Sequence, residues 1–231
     1  MFDKLSSRYE PDTYEGMVVH AYPGLHAKLM RLLVRTKPPP ATLLDLGCGE
    51  GAWGTRCVDF GYQVSGVELT VPEACFPVVK ADLNGVFAAS IEDKVDVITL
   101  IEVIEHVENP RHVLRECHSL LAEDGVLIVS TPNASGLYSR VRFLLTGTMV
   151  SFTDLTYATI GHITPVTVWQ LRKMAQETGF EISELRFLDS KFFPPSSLAD
   201  IAKLCCWAFL RPLMSGDVGG QSLVAVMRPR Q

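Results

Sequence analysis

Residues 42–54 read TLLDLGCGEGAWG, and this stretch decides the fold. It begins with a short apolar run, Thr42–Leu46, of the kind that forms a buried parallel strand. Three closely spaced glycines follow, and a helix is predicted over residues 52–60. Glycines permit a tight turn and close approach of the backbone to a ligand, and a helix start offers free N–H groups. The stretch therefore predicts a strand–turn–helix unit that holds a small ligand.

Strands and helices continue to alternate on both sides of this unit. Further strands are expected over 63–69, 77–81, 95–100, 125–130, 181–188 and 222–227, and further helices over 24–35, 110–121 and 166–178. Lys37–Pro40 ends the first helix, because proline cannot continue one. Such alternation predicts a parallel sheet with helices on both faces.

The glycine loop alone leaves two cofactors open. Gly49–Gly54 fits the dinucleotide pattern G-x-G-x-x-G, and Glu68, 19 residues after Gly49, could hydrogen-bond a ribose in NAD or in S-adenosylmethionine (SAM). Asp45 favours SAM over NAD, because a carboxylate beside the loop suits a cationic ligand and would repel the pyrophosphate of NAD. If Asp45 only orders the turn, it does not discriminate. We favour SAM.

The string 43–51, with Asp45 ahead of the first glycine, resembles the first motif of the class I SAM-dependent methyltransferases. Ala81–Leu83 and the region up to Asn133 follow in the family's order, and His162–Phe180 match it less closely. The resemblance implies an α/β, three-layer, Rossmann-like fold. Its seven-stranded sheet would be mostly parallel with an antiparallel last strand and helices on both faces. One departure is that residues 70–76 are too short for the helix that most relatives carry there.

The resemblance also implies the cofactor site, with SAM as cofactor and S-adenosylhomocysteine (SAH) as product. The glycine loop would line the methionine and ribose, Glu68 would hold the ribose hydroxyls, and Asp82 would meet the adenine. The expected cofactor-binding residues are Asp45, Gly47, Cys48, Gly49, Gly51, Glu68, Leu69, Asp82, Leu83 and Ile101.

A metal site is a further expectation. If a helix begins after the fourth strand, Glu102, Glu105 and His106 share one face at i, i+3 and i+4, and His162 could supply a fourth ligand. The pattern resembles that of the ubiquinone-biosynthesis O-methyltransferases and of the enzymes that methylate the 2′-hydroxyl of small RNAs. It implies a divalent cation such as Mg²⁺. Without a metal, His106 or His162 could be the catalytic base, or both could be structural.

The function expected from these features is SAM-dependent methylation of a small molecule, with oxygen as the first choice of acceptor atom. Two alternatives stay open. One is an NAD-dependent oxidoreductase, although 231 residues leave little room for the further domain that such enzymes usually have. The other is a non-catalytic relative that binds SAM without turnover.

Composition limits the partners. The net charge of −5 argues against a nucleic-acid partner, which would favour a basic face. No run reaches the length of a membrane span, but Leu198–Met214 could be a core-packed helix or a peripheral contact with a membrane or lipid-like substrate. The cysteines lack C-x-x-C spacing and the start lacks a signal peptide, so we expect free thiols and a cytoplasmic location. Oligomeric state stays open.

A single domain is expected. Its parts are an N-terminal helical cap over 1–36, a SAM-binding core over 37–132, a substrate-covering insertion over 133–164, and a C-terminal helix with closing strands over 165–231 that contains an insertion at 191–216. Arg140 and Arg142 in the first insertion lie either on an amphipathic surface helix or against an acidic substrate. The residues that could form a lid are Tyr9, Tyr14, His20 and Tyr22.

Overall fold

A central seven-stranded sheet organises the computed structural model, which describes residues 13–188, 208–216 and 218–230. A small hairpin comes first, formed by β1 (Thr13–Tyr14) and β2 (Met17–Val18). The strands of the central sheet are β3 (Thr42–Leu46), β4 (Gln63–Glu68), β5 (Val78–Lys80), β6 (Val95–Ile101), β7 (Leu121–Pro132), β8 (Phe180–Leu188) and β9 (Ser222–Pro229). Their spatial order is β5-β4-β3-β6-β7-β9-β8, and β9 alone runs antiparallel to both of its neighbours. The predicted sheet is confirmed.

Helices cover both faces of this sheet. The helices that pack on it are α1 (Leu25–Thr36), α2 (Ala52–Asp59), α3 (Pro110–Leu120) and α6 (Val168–Glu177). Two further helices, α4 (Leu137–Thr146) and α5 (Asp154–Ile160), lie between β7 and α6 in the chain. Alternate residues of each strand face opposite layers, because successive strand side chains point to opposite sides. Leu43 joins the apolar cluster of α1 and α2, whereas Leu44 joins that of α3 and α6. The core thus has two apolar layers, one on each side of the sheet.

The sheet has a switch point between β3 and β6. The chain runs outward from β3 through β4 to β5, then crosses back to place β6 on the other side of β3. In open parallel sheets, ligands bind outside the carboxyl ends of the strands at such a crevice. The glycine loop follows β3 and Glu102 follows β6, so both meet there.

Several elements differ in extent from the expectation. β7 begins at Leu121, directly after α3, and not at residue 125. In the helical cap expected over 1–36, α1 is present as predicted and residues 13–18 add the hairpin; residues 1–12 lie outside the described residues. No helix joins β4 to β5, as the short linker predicted.

The insertion over 133–164 contains α4 and α5, and α5 buries none of its residues. Of the apolar stretch Leu198–Met214, residues 198–207 lie outside the described residues, and Arg211–Leu213 form one 3₁₀ turn. Among the described residues, no helix has both the length and the apolar character to cross a membrane. Four cysteines are free thiols, namely Cys48, Cys57, Cys75 and Cys117, and Cys205 and Cys206 lie outside the described residues.

Candidate active site

The glycine loop turns sharply where β3 ends. The N–H of Gly47 donates to the carbonyl of Val67 in β4 over 2.8 Å, which ties the loop to the neighbouring strand. Gly47 has a φ of 70°, and a Cβ placed there would lie 2.7 Å from a methyl group of Val103. A side chain would therefore meet both strain and a clash, so glycine is required at this position.

Glu68 closes the loop from the end of β4. Its two carboxylate oxygens accept separate hydrogen bonds, one from the N–H of Gly49 and one from the N–H of Leu69, each over 2.8 Å. Main-chain groups thus fix the carboxylate in one orientation at the rim of the crevice. A carboxylate held in this way can accept hydrogen bonds from a vicinal diol such as a ribose.

Asp45 lies beneath the loop and is buried. Thr99 Oγ1 donates to one of its oxygens over 2.8 Å, and the indole N–H of Trp53 donates to Thr99 Oγ1 over 3.2 Å. The other carboxylate oxygen, Oδ2, has no hydrogen-bond partner in the structure. Burial raises the pKa of Asp45 to about 7, against the lowering effect of the Thr99 hydrogen bond. A cationic ligand group nearby would favour its charged form.

A cavity of about 720 Å³ opens at this end of the sheet. That volume is within the range of small-molecule sites. Of the expected cofactor residues, Gly47, Gly49, Glu68, Leu69, Asp82 and Leu83 line it. Asp45, Cys48, Gly51 and Ile101 are not among its lining residues.

The far end of the cavity is formed by the segment after β6. This segment is not helical, so the expectation that Glu102, Glu105 and His106 share a helix face is wrong. Glu102 has a φ of 55°, and its carboxylate accepts a hydrogen bond from Ser130 Oγ over 2.8 Å. The next helix begins only at Pro110, where the side chain of Asn109 caps it.

The turn nevertheless brings three of the four expected metal ligands together. One potential ligand atom from each of Glu105, His106 and His162 lies within 4.8 Å of the other two, and Glu102 is not part of this group. The contact is anchored by the backbone, because the carbonyl of Glu105 accepts hydrogen bonds from the N–H groups of Ile163 and Thr164. Spacing alone did not predict this arrangement, although it identified its members.

Backbone carbonyls orient both imidazoles. His106 Nδ1 lies 3.2 Å from the carbonyl oxygen of Gly161, and His162 Nδ1 lies 2.7 Å from that of Ser151. Each Nδ1–H then donates, which leaves Nε2 as a lone-pair donor for a metal or a proton. Burial lowers the pKa of both histidines, and for His106 the neighbouring His162 adds to the effect.

Glu105 is fully buried, and neither of its carboxylate oxygens makes a hydrogen bond of ordinary geometry, although the Thr131 hydroxyl is close enough to have a small lowering effect on its pKa. Burial, with the nearby Glu102 carboxylate, raises the pKa of Glu105 well above its usual range. An unpaired buried carboxylate is costly, so a cation or a donor from a ligand would stabilise it.

The N-terminal segment covers the cavity, as the lid hypothesis suggested for two of its four residues. His20 and Tyr22 line the cavity, and the Tyr22 hydroxyl is 3.1 Å from Ser151 Oγ. Tyr14 instead bonds Asp59 and stacks against Arg56, and Tyr9 lies outside the described residues.

Several lining residues were not expected from the sequence. They include Asn84, Val103, Ser151, Thr159 and Ile160. Asn84, Val103 and Ile160 lie within two residues of Asp82, Glu102 and His162, which the sequence had singled out. Ser151 has a φ of 66° and stands in a loop without a motif, so no pattern could have identified it.

The chain is similar in sequence to known methyltransferases. A family model described as a methyltransferase domain matches residues 19–185. A ubiquinone biosynthesis O-methyltransferase of Glaesserella parasuis is 32% identical over 106 residues, which are 39% of this chain and 45% of that protein. One of Xanthomonas axonopodis pv. citri is 33% identical over 128 residues, 47% of this chain and 52% of that protein. The chain thus spans about half the length of the curated relatives that it matches.

Solved structures share the fold. A SAM-dependent methyltransferase from Archaeoglobus fulgidus superposes with a TM-score of 0.62 at 22% identity, covering 88% of this chain and 92% of that one. Magnesium protoporphyrin IX methyltransferase from Synechocystis PCC 6803, with bound SAH, gives a TM-score of 0.57 at 16% identity, covering 89% of this chain and 82% of that one. At these identities the likeness shows the fold alone.

Proposed function

We propose, from the premise that the chain belongs to the methyltransferase domain family, that it is a class I SAM-dependent methyltransferase and that it methylates an oxygen atom of a small molecule. One observation carries the choice of oxygen. The Glu105–His106–His162 group adjoins the same cavity as Glu68 and Asp82. Groups that bind a cation or accept a proton are what a hydroxyl acceptor needs, because a neutral hydroxyl is a poor nucleophile.

The cofactor would occupy the half of the cavity beside β3 and β4. Glu68 would accept hydrogen bonds from the ribose hydroxyls, because its carboxylate is already oriented by Gly49 and Leu69. Asp82 and Leu83 would contact the adenine, and the backbone of the glycine loop would lie against the methionine moiety of SAM. Asp45 would act from beneath the loop as a buried negative charge that favours the cationic ammonium or sulfonium.

The acceptor would occupy the half beside His106 and His162. In the proposed reaction the acceptor oxygen attacks the methyl carbon, and the bond between that carbon and the sulfonium sulfur breaks in line with it. The sulfur keeps the electron pair and SAH leaves as a neutral thioether. When no cation is bound, the hydroxyl proton passes to Nε2 of His106 or His162 and then to solvent. Orientation of the two reactants is the protein's main contribution to the rate.

We further propose that Glu105, His106 and His162 can hold a divalent cation. The fit is supported by the unpaired oxygens of Glu105 and by two imidazoles whose Nδ1 atoms are already engaged. Two imidazoles and a carboxylate suit Mn²⁺ or Zn²⁺ better than Mg²⁺, which prefers oxygen ligands. A bound cation would lower the pKa of an acceptor hydroxyl.

The acceptor atom is tested with matched acceptors. SAH release is measured for catechol and for 1,2-phenylenediamine carrying the same ring substituents. Methylation of the catechol alone is expected, and preferential methylation of the diamine would contradict an oxygen acceptor. SAH binding without turnover of any acceptor would favour the non-catalytic alternative. The family match decides against the NAD-dependent alternative.

The cation is tested by calorimetric titration of Mn²⁺ and Zn²⁺ into the protein without cofactor. His162→Ala should weaken binding by at least about tenfold, because one of three ligands is lost. His112→Ala is the matched control, since His112 bonds the carbonyl of Gly85 outside this group. Equal affinity in wild type and His162→Ala would contradict the proposed ligand set.

A further inference from the structure

A hydrogen-bond relay lies beneath the glycine loop and ends at Asp45. Its members are Trp53 in α2, Thr99 in β6 and Asp45 in β3, and all three are buried. The indole N–H of Trp53 donates to Thr99 Oγ1 over 3.2 Å, and Thr99 Oγ1 donates to Asp45 Oδ1 over 2.8 Å. We call this set the polar relay. Neither Trp53 nor Thr99 lines the cavity, so any effect of theirs on a ligand there is indirect.

The polar relay stands in an otherwise apolar layer. Leu43, Val97 and Ile101, on the same face of β3 and β6, belong to the apolar cluster that packs under α1 and α2. The backbones of β3 and β6 already pair over residues 43–45, so the strands do not need a tie between side chains. A valine in the place of Thr99 would leave no buried hydroxyl to satisfy. The hydroxyl is therefore explained by the group to which it donates.

The polar relay has one possible direction. An indole N–H can only donate, so Thr99 Oγ1 is the acceptor of the bond from Trp53. A hydroxyl carries a single proton, and Thr99 directs it to Asp45 Oδ1. Oδ1 is thus an acceptor whether Asp45 is charged or neutral. Any proton or ligand donor that the carboxyl group binds is left to Oδ2.

Asp45 Oδ2 is the open end of the polar relay. It is buried and has no hydrogen-bond partner among the described residues, and no basic side chain of those residues forms an ion pair with Asp45. Asp45 precedes Gly47, which lines the cavity, by two residues, and it lies close enough to Glu68 for that carboxylate to raise its pKa. A cationic donor from a ligand at the loop would satisfy this oxygen, and charge-assisted hydrogen bonds are the strongest kind.

The Thr99 hydroxyl also favours the charge on Asp45. Burial raises the pKa of Asp45 to about 7, the hydrogen bond from Thr99 lowers it, and Glu68 raises it. A hydrogen bond donated to a carboxylate stabilises the ionised form, and a cation is attracted to the ionised form alone. Removal of this hydroxyl should therefore weaken the binding of a cation beside Asp45 and leave the other contacts of the ligand unchanged.

We propose that Thr99 and Trp53 are positioning residues that act through Asp45 to recognise the ammonium group of the cofactor's methionine moiety. Trp53 fixes the direction of the Thr99 hydroxyl, Thr99 holds Oδ1 of Asp45, and Oδ2 is left for the ammonium. This inference deepens the proposed function and rests on it, because the ligand at the glycine loop is taken to be SAM or SAH. It adds two residues outside the cavity to those that determine cofactor affinity.

The test compares two ligands that differ in the ammonium group. SAH carries this group, whereas 5′-methylthioadenosine keeps the adenosine and the thioether sulfur but lacks the amino-acid end. Both are titrated calorimetrically into the full chain. Thr99→Val should weaken SAH binding by about tenfold and change the binding of 5′-methylthioadenosine by less than about twofold.

Three further variants grade the effect. Thr99→Ser keeps the hydroxyl and should restore SAH affinity to within about twofold of wild type. Trp53→Phe keeps an aromatic ring but removes the indole N–H, so the Thr99 hydroxyl loses its fixed direction and SAH binding should weaken by about threefold. Adding Thr99→Val to Asp45→Asn should cause no further loss of SAH affinity, because the polar relay acts through Asp45.

Thr178→Val is the matched control. Thr178 is also a buried threonine whose hydroxyl donates within the protein, to the carbonyl of Met174 over 2.7 Å, and it does not line the cavity. This variant should bind both ligands as wild type does.

Equal weakening of both ligands by Thr99→Val would overturn the proposal, because the change would then be a general distortion of the site. Unchanged SAH affinity in Thr99→Val would also overturn it. SAM is titrated in parallel, and a loss for SAM without one for SAH would replace the ammonium by the sulfonium as the recognised group. If wild type binds neither SAH nor 5′-methylthioadenosine, the proposed function itself fails and this inference with it, a result distinct from the others because wild type binds in all of them.

Discussion

The cavity has two walls that are built in different ways. The strand-end wall lies at the carboxyl ends of buried strands and consists of Gly47, Gly49, Glu68, residues 81–84, Glu102, Val103, His106 and Val107. The cover consists of residues 20–22 and 151–162 and contacts itself through a few polar bonds, such as that between Tyr22 and Ser151. A wall fixed by core packing suits a constant cofactor, whereas a loosely attached cover can vary with the acceptor.

Two glycines with the same backbone conformation sharpen this contrast most. Gly47 in the strand-end wall has a φ of 70°, and Gly147 after α4 has a φ of 73°. A Cβ at Gly47 would clash with Val103, whereas a Cβ at Gly147 has nothing within 4 Å. Gly47→Ala should lower the free energy of unfolding by about 3 kcal/mol, from strain and overpacking together. Gly147→Ala should cost about 1 kcal/mol, from strain alone.

Urea denaturation of the two variants measures this difference. Equal losses would mean that the strand-end wall yields as easily as the open turn after α4, and the claim that core packing fixes this wall would fail.

The buried carboxylate under the strand-end wall gives the next largest effect. The pKa of Asp45 is raised to about 7 by burial, whereas an unfolded aspartate titrates near about 3.9. Its contribution to stability is therefore fully present below about pH 4 and is lost as pH rises through 7. Asp45→Asn removes this dependence. Relative to the variant, wild type should lose at least about 1 kcal/mol of unfolding free energy between about pH 5 and pH 8.

Asp96→Asn is the control of opposite sign. The N–H of Thr42, with a smaller contribution from Lys37, lowers the pKa of Asp96, so its contribution is present above the unfolded pKa and is lost as pH falls. Denaturation of wild type and both variants at several pH values measures how the free energy of unfolding depends on each of the two aspartates. A difference between wild type and Asp45→Asn that stays constant with pH would show that Asp45 is not held protonated by burial.

Glu68 tests whether the strand-end wall holds the cofactor. Glu68→Ala should weaken SAH binding by about 1–2 kcal/mol, because a ribose would lose its acceptor. Glu50→Ala is the matched control. Glu50 is exposed and does not line the cavity, and its carboxylate likewise accepts a hydrogen bond from a main-chain N–H, that of Val18. Calorimetric titration compares the two variants. If Glu68→Ala keeps wild-type affinity, the ribose assignment is wrong.

Most of the strand-end wall could be predicted from the sequence, whereas most of the cover could not. The strand before the glycine loop and the acid at the end of β4 follow local rules, because the turn needs glycine and a parallel sheet needs apolar strands. Those rules identified Gly47 and Glu68, and both line the cavity. The fold and the cofactor half of the site could therefore be predicted from short stretches of sequence.

The acceptor half could not, because its geometry depends on contacts between distant segments. Glu105 meets His162 only because the backbone of residues 163–164 bonds to that of Glu105. The spacing of Glu102, Glu105 and His106 suggested a helix, but Glu102 adopts a left-handed conformation that is incompatible with one. Ser151 bonds to Tyr22 and to His162 from a loop whose composition has no distinguishing pattern.

The smallest expected effect concerns the Tyr22 hydroxyl, which connects the two segments of the cover, residues 20–22 and 151–162. Tyr22→Phe removes the partly buried contact with Ser151 Oγ, and the loss in unfolding free energy should be about 0.5 kcal/mol. Tyr62→Phe is the matched variant in the core, where the hydroxyl donates to the carbonyl of Lys37 over 2.8 Å and the ring is buried. It should cost about 1 kcal/mol, because a partly buried carbonyl loses its partner. Thermal unfolding of both variants ranks them, and a larger loss for Tyr22→Phe would show that the cover is held as firmly as the sheet.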